Sequence, residues 1–249
     1  MIRSSGNFFE RHASWLFPLP AVLALVILVL LPMLANFYIA LHDWFIGLPP
    51  RLVGLDNFTD ALNDRRFWNG VRNTFYFTGL AVPIQLVLGM AVALLFSREM
   101  PAKGLIRTII LLPMVATPVA IALIWALMFD PSLGVLNYFL ESLGLQRSIW
   151  VADARLALPS LVLVDVWQWT PMVALILIAA LQGVPGEYFE AARIDGANSW
   201  QIFWRITLPS IRNAVVVALV LRTIDALKTF DIIYVITAGG PGTASETQI

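Results

Sequence analysis

The chain has 249 residues, of which 59% are apolar and 13% charged, and its mean hydropathy is +0.79. A soluble core of this size cannot hide that much hydrocarbon, so the composition excludes an ordinary globular enzyme and points to a membrane protein. Its 16 basic residues balance 16 acidic ones, which excludes a global field for nucleic acid, and the lack of cysteine excludes disulfides, thiolate metal sites and cysteine nucleophiles.

A helical crossing needs roughly 20 mostly apolar residues, because lipid offers the backbone no hydrogen-bond partner. Five segments meet this requirement, at about residues 15–41, 73–97, 105–129, 156–181 and 213–237. The expected fold class is therefore all-α, a polytopic helical membrane protein with five transmembrane helices. Arg3 and Arg11 precede the first run, as in a secretory signal. That run is too long for a signal and lacks a small-residue cleavage site, so it is expected to stay as an anchor. Pro20, Pro32, Pro83, Pro113, Pro118, Pro159 and Pro171 lie inside the runs, where a soluble helix would lose about 3 kcal/mol each. Packed neighbours can satisfy the freed carbonyls, and interrupted helices are common in transporters. Ordinary kinks in any multi-span protein are the other reading.

With the N-terminus in the cytoplasm, Arg3, Arg11, Arg98, Lys103, Arg107, Arg193, Arg205 and Arg212 lie inside. Arg51, Arg65, Arg66, Arg72, Arg147 and Arg155 then lie outside, a bias of eight to six in the expected direction. In the first outer loop, Leu55, Phe58, Leu62, Phe67 and Trp68 suggest short surface helices punctuated by Gly54, Asn57 and Asn63. No internal repeat or linker interrupts the chain, which reads as one membrane domain over 1–249.

A polar island at about residues 184–210 separates the last two crossings. Pro185 sits where a helix can begin, with Glu187 and Glu190 in turns that suit the positive end of its dipole. Tyr188, Ala191, Ala192 and Asp195 share a face on which the two alanines permit close approach. Gly196 is placed to stop this helix in left-handed geometry, and Asn198 or Ser199 to cap a second one. That helix carries an apolar stripe of Trp200, Phe203 and Trp204, and Pro209 is expected to end it. The helix pattern alone favours a simple amphipathic connector, and it is the full spacing of the segment that reverses this.

The residues Glu190-Ala191-Ala192, then Gly196, then Ile206-x-Leu208-Pro209 carry a resemblance. They are similar to the cytoplasmic motif of binding-protein-dependent ABC importer permeases. The run Phe230–Thr237, the turn Gly239-Gly240-Pro241-Gly242 and Glu246-Thr247 resemble the carbohydrate-uptake branch, as do Gly54-Leu55-x-Asn57-Phe58 and Leu112-Pro113. The resemblance implies the ABC importer permease fold in a bacterial or archaeal plasma membrane. It implies a second homologous permease subunit, a cytoplasmic ATPase dimer holding ATP and Mg, and an external solute-binding protein that delivers a sugar or polyol. Glu190, Ala191, Ala192, Asp195, Gly196, Ile206, Leu208 and Pro209 would dock the ATPase, and this chain would bind no cofactor and hydrolyse nothing. A sixth crossing usually follows the Gly-Gly-Pro-Gly turn, and it is absent here after Ile249.

Ionisable groups at membrane depth usually face a bundle interior or a water-filled cavity. Arg222, Asp225 and Thr229, with Ala226 giving room, are candidates to line the substrate pathway; an Arg222–Asp225 pair that only knits helices is the other reading. Asp165 and Trp169 share a face in the fourth crossing, a carboxylate and a ring suited to the hydroxyl edges and C–H faces of a sugar. Trp169 reads equally as an interfacial anchor. Gln85, Thr117 and Gln168 are further polar candidates. The Gly-Gly-Pro-Gly turn lacks the lysine and hydroxyl of a phosphate loop, and no metal-ligand cluster or hydrolase motif is present. The rival substrate is glycerol 3-phosphate or another small solute. From a different class, the rival function is a membrane scaffold or channel without ATP coupling.

Overall fold

A computed structural model describes residues 14–45, 47–97 and 101–247. Arg3, Arg11, Arg98 and Ile249, used in the anchor, orientation and final-crossing expectations, lie outside the described residues. Regular structure is nearly all helical, as the apolar runs require. The strands described are one antiparallel ribbon, β1 (His42–Asp43) with β2 (Arg51–Leu52). The chain divides into two compact units, 1–65 and 66–249.

The first unit holds α1 (Ser14–Ala40), the ribbon and α2 (Asp56–Asn63). Helix α1 is apolar on every side and none of it is buried in the chain, which suits a helix surrounded by lipid. The Asn57 amide donates to the carbonyls of Ala40 (3.0 Å) and His42 (3.1 Å), which satisfies acceptors left over where α1 ends.

The second unit is the packed bundle. Helix α3 (Arg65–Phe96) is 32 residues long and carries Phe67 and Trp68 in its opening turns. The second crossing therefore starts well before residue 73, and these two rings do not form a separate loop helix. The third crossing is not one helix. It is α4 (Lys103–Val115) followed by α5 (Pro118–Met128), with a 95° bend between them. Proline at 118 disfavours helical geometry at the residue before it, and Ala116 and Thr117 are extended, with ψ of 148° and 142°.

Beyond α5, Asp130 accepts backbone N–H bonds from Leu133 (2.7 Å) and Ser132 (2.8 Å), which hold its carboxyl below the ordinary value of 3.8. That contribution is present above the ordinary value and is lost as pH falls through the lowered one. Helix α6 (Val135–Ser142) is pinned by Asn137. Its amide donates to Pro131 (3.0 Å) and Ser148 (2.9 Å), and its oxygen accepts from the Ser148 N–H (3.0 Å) and the Trp150 indole (2.9 Å). Asn137→Ala should cost about 1–2 kcal/mol in thermal unfolding, because it removes four hydrogen bonds to half-buried or exposed partners at once.

Helix α7 (Ala157–Gln182) is the most enclosed crossing, with Leu161, Val164, Val173 and Leu177 fully buried. It meets α3 at Gly89, where an added Cβ would lie 2.6 Å from Val173 Cγ1 and 3.1 Å from the Ala174 nitrogen. Gly89→Ala should therefore part the two helices and destabilise by about 1–3 kcal/mol, measurable as a lowered melting temperature in detergent.

The remaining elements are α8 (Gly186–Ile194), α9 (Ser199–Ile202), a π turn (Phe203–Thr207), α10 (Leu208–Leu227) and α11 (Asp231–Thr237). Pro209 does not end a helix as expected. It sits in the first turn of α10, where its missing N–H costs nothing, and the π turn carries the chain into it without a break. The fifth crossing is interrupted instead at 228–230, between α10 and α11. Helices α1, α3 and α7 are long and apolar enough to cross a membrane, and the bent pair makes up to four. Helix α10, with Arg212, Arg222 and Asp225 in its 20 residues, is not among them.

Candidate functional site: a buried polar network and a helical elbow

Three helices meet around one guanidinium. Arg222 on α10 is 1% exposed; its Nε donates to Gln85 Oε1 on α3 at 2.8 Å and its Nη2 to Asp165 Oδ2 on α7 at 3.0 Å. Gln85 Nε2 closes the ring by donating to the same Asp165 oxygen at 2.7 Å. An arginine and an aspartate stripped of water need this degree of pairing, since either alone would be an uncompensated charge. The nearer carboxylate is Asp165, while Asp225 stands 3.8 Å away on Arg222's own helix. The helix-knitting role weighed for Arg222 and Asp225 thus falls to a residue on a different element.

The Trp169 ring lies with its centroid 5.2 Å from the same guanidinium, one turn along α7 from Asp165. Beyond it opens a cleft of about 320 Å³ walled by Pro118, Trp169, Arg222, Asp225, Lys228 and Thr229. Four of the expected pathway residues, Trp169, Arg222, Asp225 and Thr229, come together here. Asp165 lies behind Arg222 and is fully buried. Ala226 packs into the core at 2% exposure, and Thr117, exposed at the bend, stands one residue from the wall. Gln168 is also fully buried, and both its amide atoms lack a hydrogen-bond partner among the described residues.

Phe230 and Asp231 complete the cleft, and sequence reasoning did not single them out for it. A periodicity argument run along one continuous helix puts Asp231 on the wrong face. The break at 228–230 resets the register and brings it to the wall of the cleft.

At the opposite ends of α7 and α10 the polar island folds as a rigid elbow. Pro185 precedes α8, whose C-terminus closes with Ala197 N–H bonded to Ala192 O (2.9 Å) and Gly196 N–H to Arg193 O (3.1 Å). Gly196 sits at φ +79°, a left-handed stop that L side chains resist. Asn198 then caps α9 reciprocally with Gln201, both bonds 2.9 Å. Ala192 is buried, whereas Ala191, Glu190 and Asp195 are exposed. Ile206 and Leu208 are half-buried and Pro209 is exposed. Glu190 borders a recess of about 470 Å³ that also takes in Phe189, Arg193, Ser97 and Leu181. Trp200, Phe203 and Trp204 form an edge-on ring cluster beside it.

A helical bundle with an ion pair sealed at its centre, a polar cleft beside it and an amphipathic elbow at one end defines an integral membrane permease. The chain belongs to the family described as the binding-protein-dependent transport system inner membrane component, which matches residues 61–248. It is thus the membrane-spanning, transport subunit of an ABC importer.

The chain is 37% identical over 247 residues to the trehalose/maltose transport system permease MalF of Thermococcus litoralis, covering 99% of this chain and 84% of the relative. It is 34% identical over 250 residues to the trehalose transport system permease SugA of Mycobacterium tuberculosis, covering 98% and 78%. It is 35% identical over 241 residues to the sulfoquinovosyl glycerol transport system permease SmoG of Agrobacterium fabrum, covering 96% and 78%. The fold is similar to a chain in the crystal structure of a bacterial ABC transporter involved in import of the acidic polysaccharide alginate. There the TM-score is 0.82 at 24% identity, over 96% of this chain and 82% of that one.

Proposed function

We propose that this subunit moves a neutral sugar or polyol, passed to it by an external binding protein, through the cleft beside Arg222. The observation that carries this reading is the charge balance of the cleft. Arg222 and Lys228 stand against Asp225 and Asp231, with Asp165 behind. Two cations facing three carboxylates leave no net attraction for a phosphate, while Trp169 offers a ring for a sugar's C–H face and the polar groups offer partners for its hydroxyls. Glycerol 3-phosphate is the disfavoured rival on this count. The relatives named for trehalose, maltose and sulfoquinovosyl glycerol transport support a carbohydrate ligand.

The elbow is the contact for a cytoplasmic ATPase dimer that binds and hydrolyses ATP with Mg, and a second homologous permease completes the pathway. With the bent α4–α5 pair taken as one crossing, four crossings separate the N-terminus from the elbow, which puts the N-terminus in the cytoplasm as well. Glu190, Ala191, Asp195 and Pro209 are exposed to meet the ATPase, and Ala192, Gly196, Ile206 and Leu208 shape the elbow beneath them. From Ser199 to Leu227 the chain is helical without interruption, π turn included, so a push at Trp200 reaches Arg222 through a rod roughly 30 Å long. Closure of the ATPases thereby shifts the cleft between inward- and outward-facing populations. Titrating the cognate binding protein with trehalose, maltose and glycerol 3-phosphate tests the ligand class. Tight binding of the phosphorylated polyol with none of either sugar would overturn it.

A further inference from the structure

A second cleft, of about 450 Å³, opens where the chain beyond α11 folds back on the first turns of α3. Phe230 lines this cleft and the Arg222 cleft alike, which makes them neighbours. Because α7 and α10 run antiparallel out of the elbow, residues 228–247 lie at the end of the bundle away from it.

One wall is aromatic. The rings of Phe230 and Tyr234 stack with centroids 5.0 Å apart and planes 20° apart, and Tyr234 is 60% exposed. The other wall is polar and fixed. Arg66 Nε donates to both oxygens of Glu246 at 2.9 Å. The Glu246 segment is itself strapped to α3, because Asn73 donates to the Glu246 carbonyl (2.8 Å), Asn69 to that of Thr243 (2.7 Å) and Thr74 to that of Thr247 (2.8 Å). Gly239, at φ +86°, lets the 243–247 segment come close, since a Cβ there would lie 3.3 Å from Glu246 Cβ. The Thr247 hydroxyl, on the same wall, is buried and has no partner among the described residues.

Rings opposite a fixed guanidinium–carboxylate pair match a pyranose, whose C–H face stacks on aromatics while its hydroxyls both donate and accept. The pair is neutral overall, so it offers hydrogen bonds without favouring a charged ligand. We infer that this cleft is an outer sugar subsite, in which the ligand released by the external binding protein is held before it reaches Arg222. The inference rests on the sugar reading proposed above. A catching site of this kind keeps released sugar from escaping outward during the ATPase stroke, so its loss uncouples transport from ATP use.

The test is the complete importer in proteoliposomes, with its second permease, ATPase and binding protein, supplied with radiolabelled trehalose or maltose. Tyr234→Ala should lower the sugar carried per ATP hydrolysed about fivefold, while ATPase stimulation by the loaded binding protein stays within twofold of native. Tyr234→Phe, which keeps the ring, should restore the ratio. An unchanged ratio in Tyr234→Ala overturns the subsite alone, as does a parallel fall in stimulated ATPase, which would mark Tyr234 as a packing residue. A native importer that carries neither sugar overturns the sugar reading for these ligands and the subsite with it.

Discussion

Glu190→Ala in the assembled importer is expected to cut uptake at least tenfold and to abolish stimulation of the ATPase by the loaded binding protein, with the amount of inserted subunit unchanged. Glu190 is exposed, so its removal should leave the fold intact and test the proposed contact to the ATPase. Gly196→Val should match it by another route. Nothing within 4 Å obstructs a side chain at Gly196, but φ +79° costs a non-glycine residue about 1–2 kcal/mol, and a β-branched one more. The elbow would then open and lose its shape. Glu187→Ala, on the first turn of the same helix, serves as the control and should transport as native does. Normal uptake in both Glu190→Ala and Gly196→Val would remove the elbow from the coupling mechanism and favour a scaffold or channel.

The second large effect concerns the sealed ion pair. Asp165→Ala strands a guanidinium that is 1% exposed, and should destabilise the subunit by about 3–5 kcal/mol, seen as a melting temperature lowered by roughly 10 °C in nanodiscs. Gln85→Leu removes a neutral partner of the same network and should cost less, about 1–3 kcal/mol. The triple variant Gln85→Leu, Asp165→Leu, Arg222→Met removes both charges and the amide between them and should melt close to native, because the desolvation penalty disappears along with the attraction. It should nevertheless fail to transport, having lost the polar wall of the cleft. Should Asp165→Ala melt with native protein, the network is not holding α3, α7 and α10 together.

Much of this was legible in one dimension because the solvent imposes it. Lipid forbids an unsatisfied backbone, so long apolar runs become helices wherever they occur, and α1 and α7 lie where hydropathy puts them. The elbow was equally readable. Its signals are local ones, a proline before α8, the left-handed Gly196, and Asn198 reaching Gln201 three residues on. Expectations failed where local rules compete. Proline is both a helix breaker and a good first-turn residue, and Pro209 proved to be the second. Pro118 plays that same part for α5 while breaking the crossing before it.

What the sequence determined by itself was the membrane setting, the helical class and the shape of the elbow, because each follows from interactions within a few residues or with the solvent. What only the tertiary structure decided was which polar groups meet. Asp165 lies 57 residues from Arg222 and Gln85 lies 137, and no periodicity along a helix relates them. Their pairing follows from how α3, α7 and α10 pack, and in a medium without water that packing alone determines where a buried charge finds its partner.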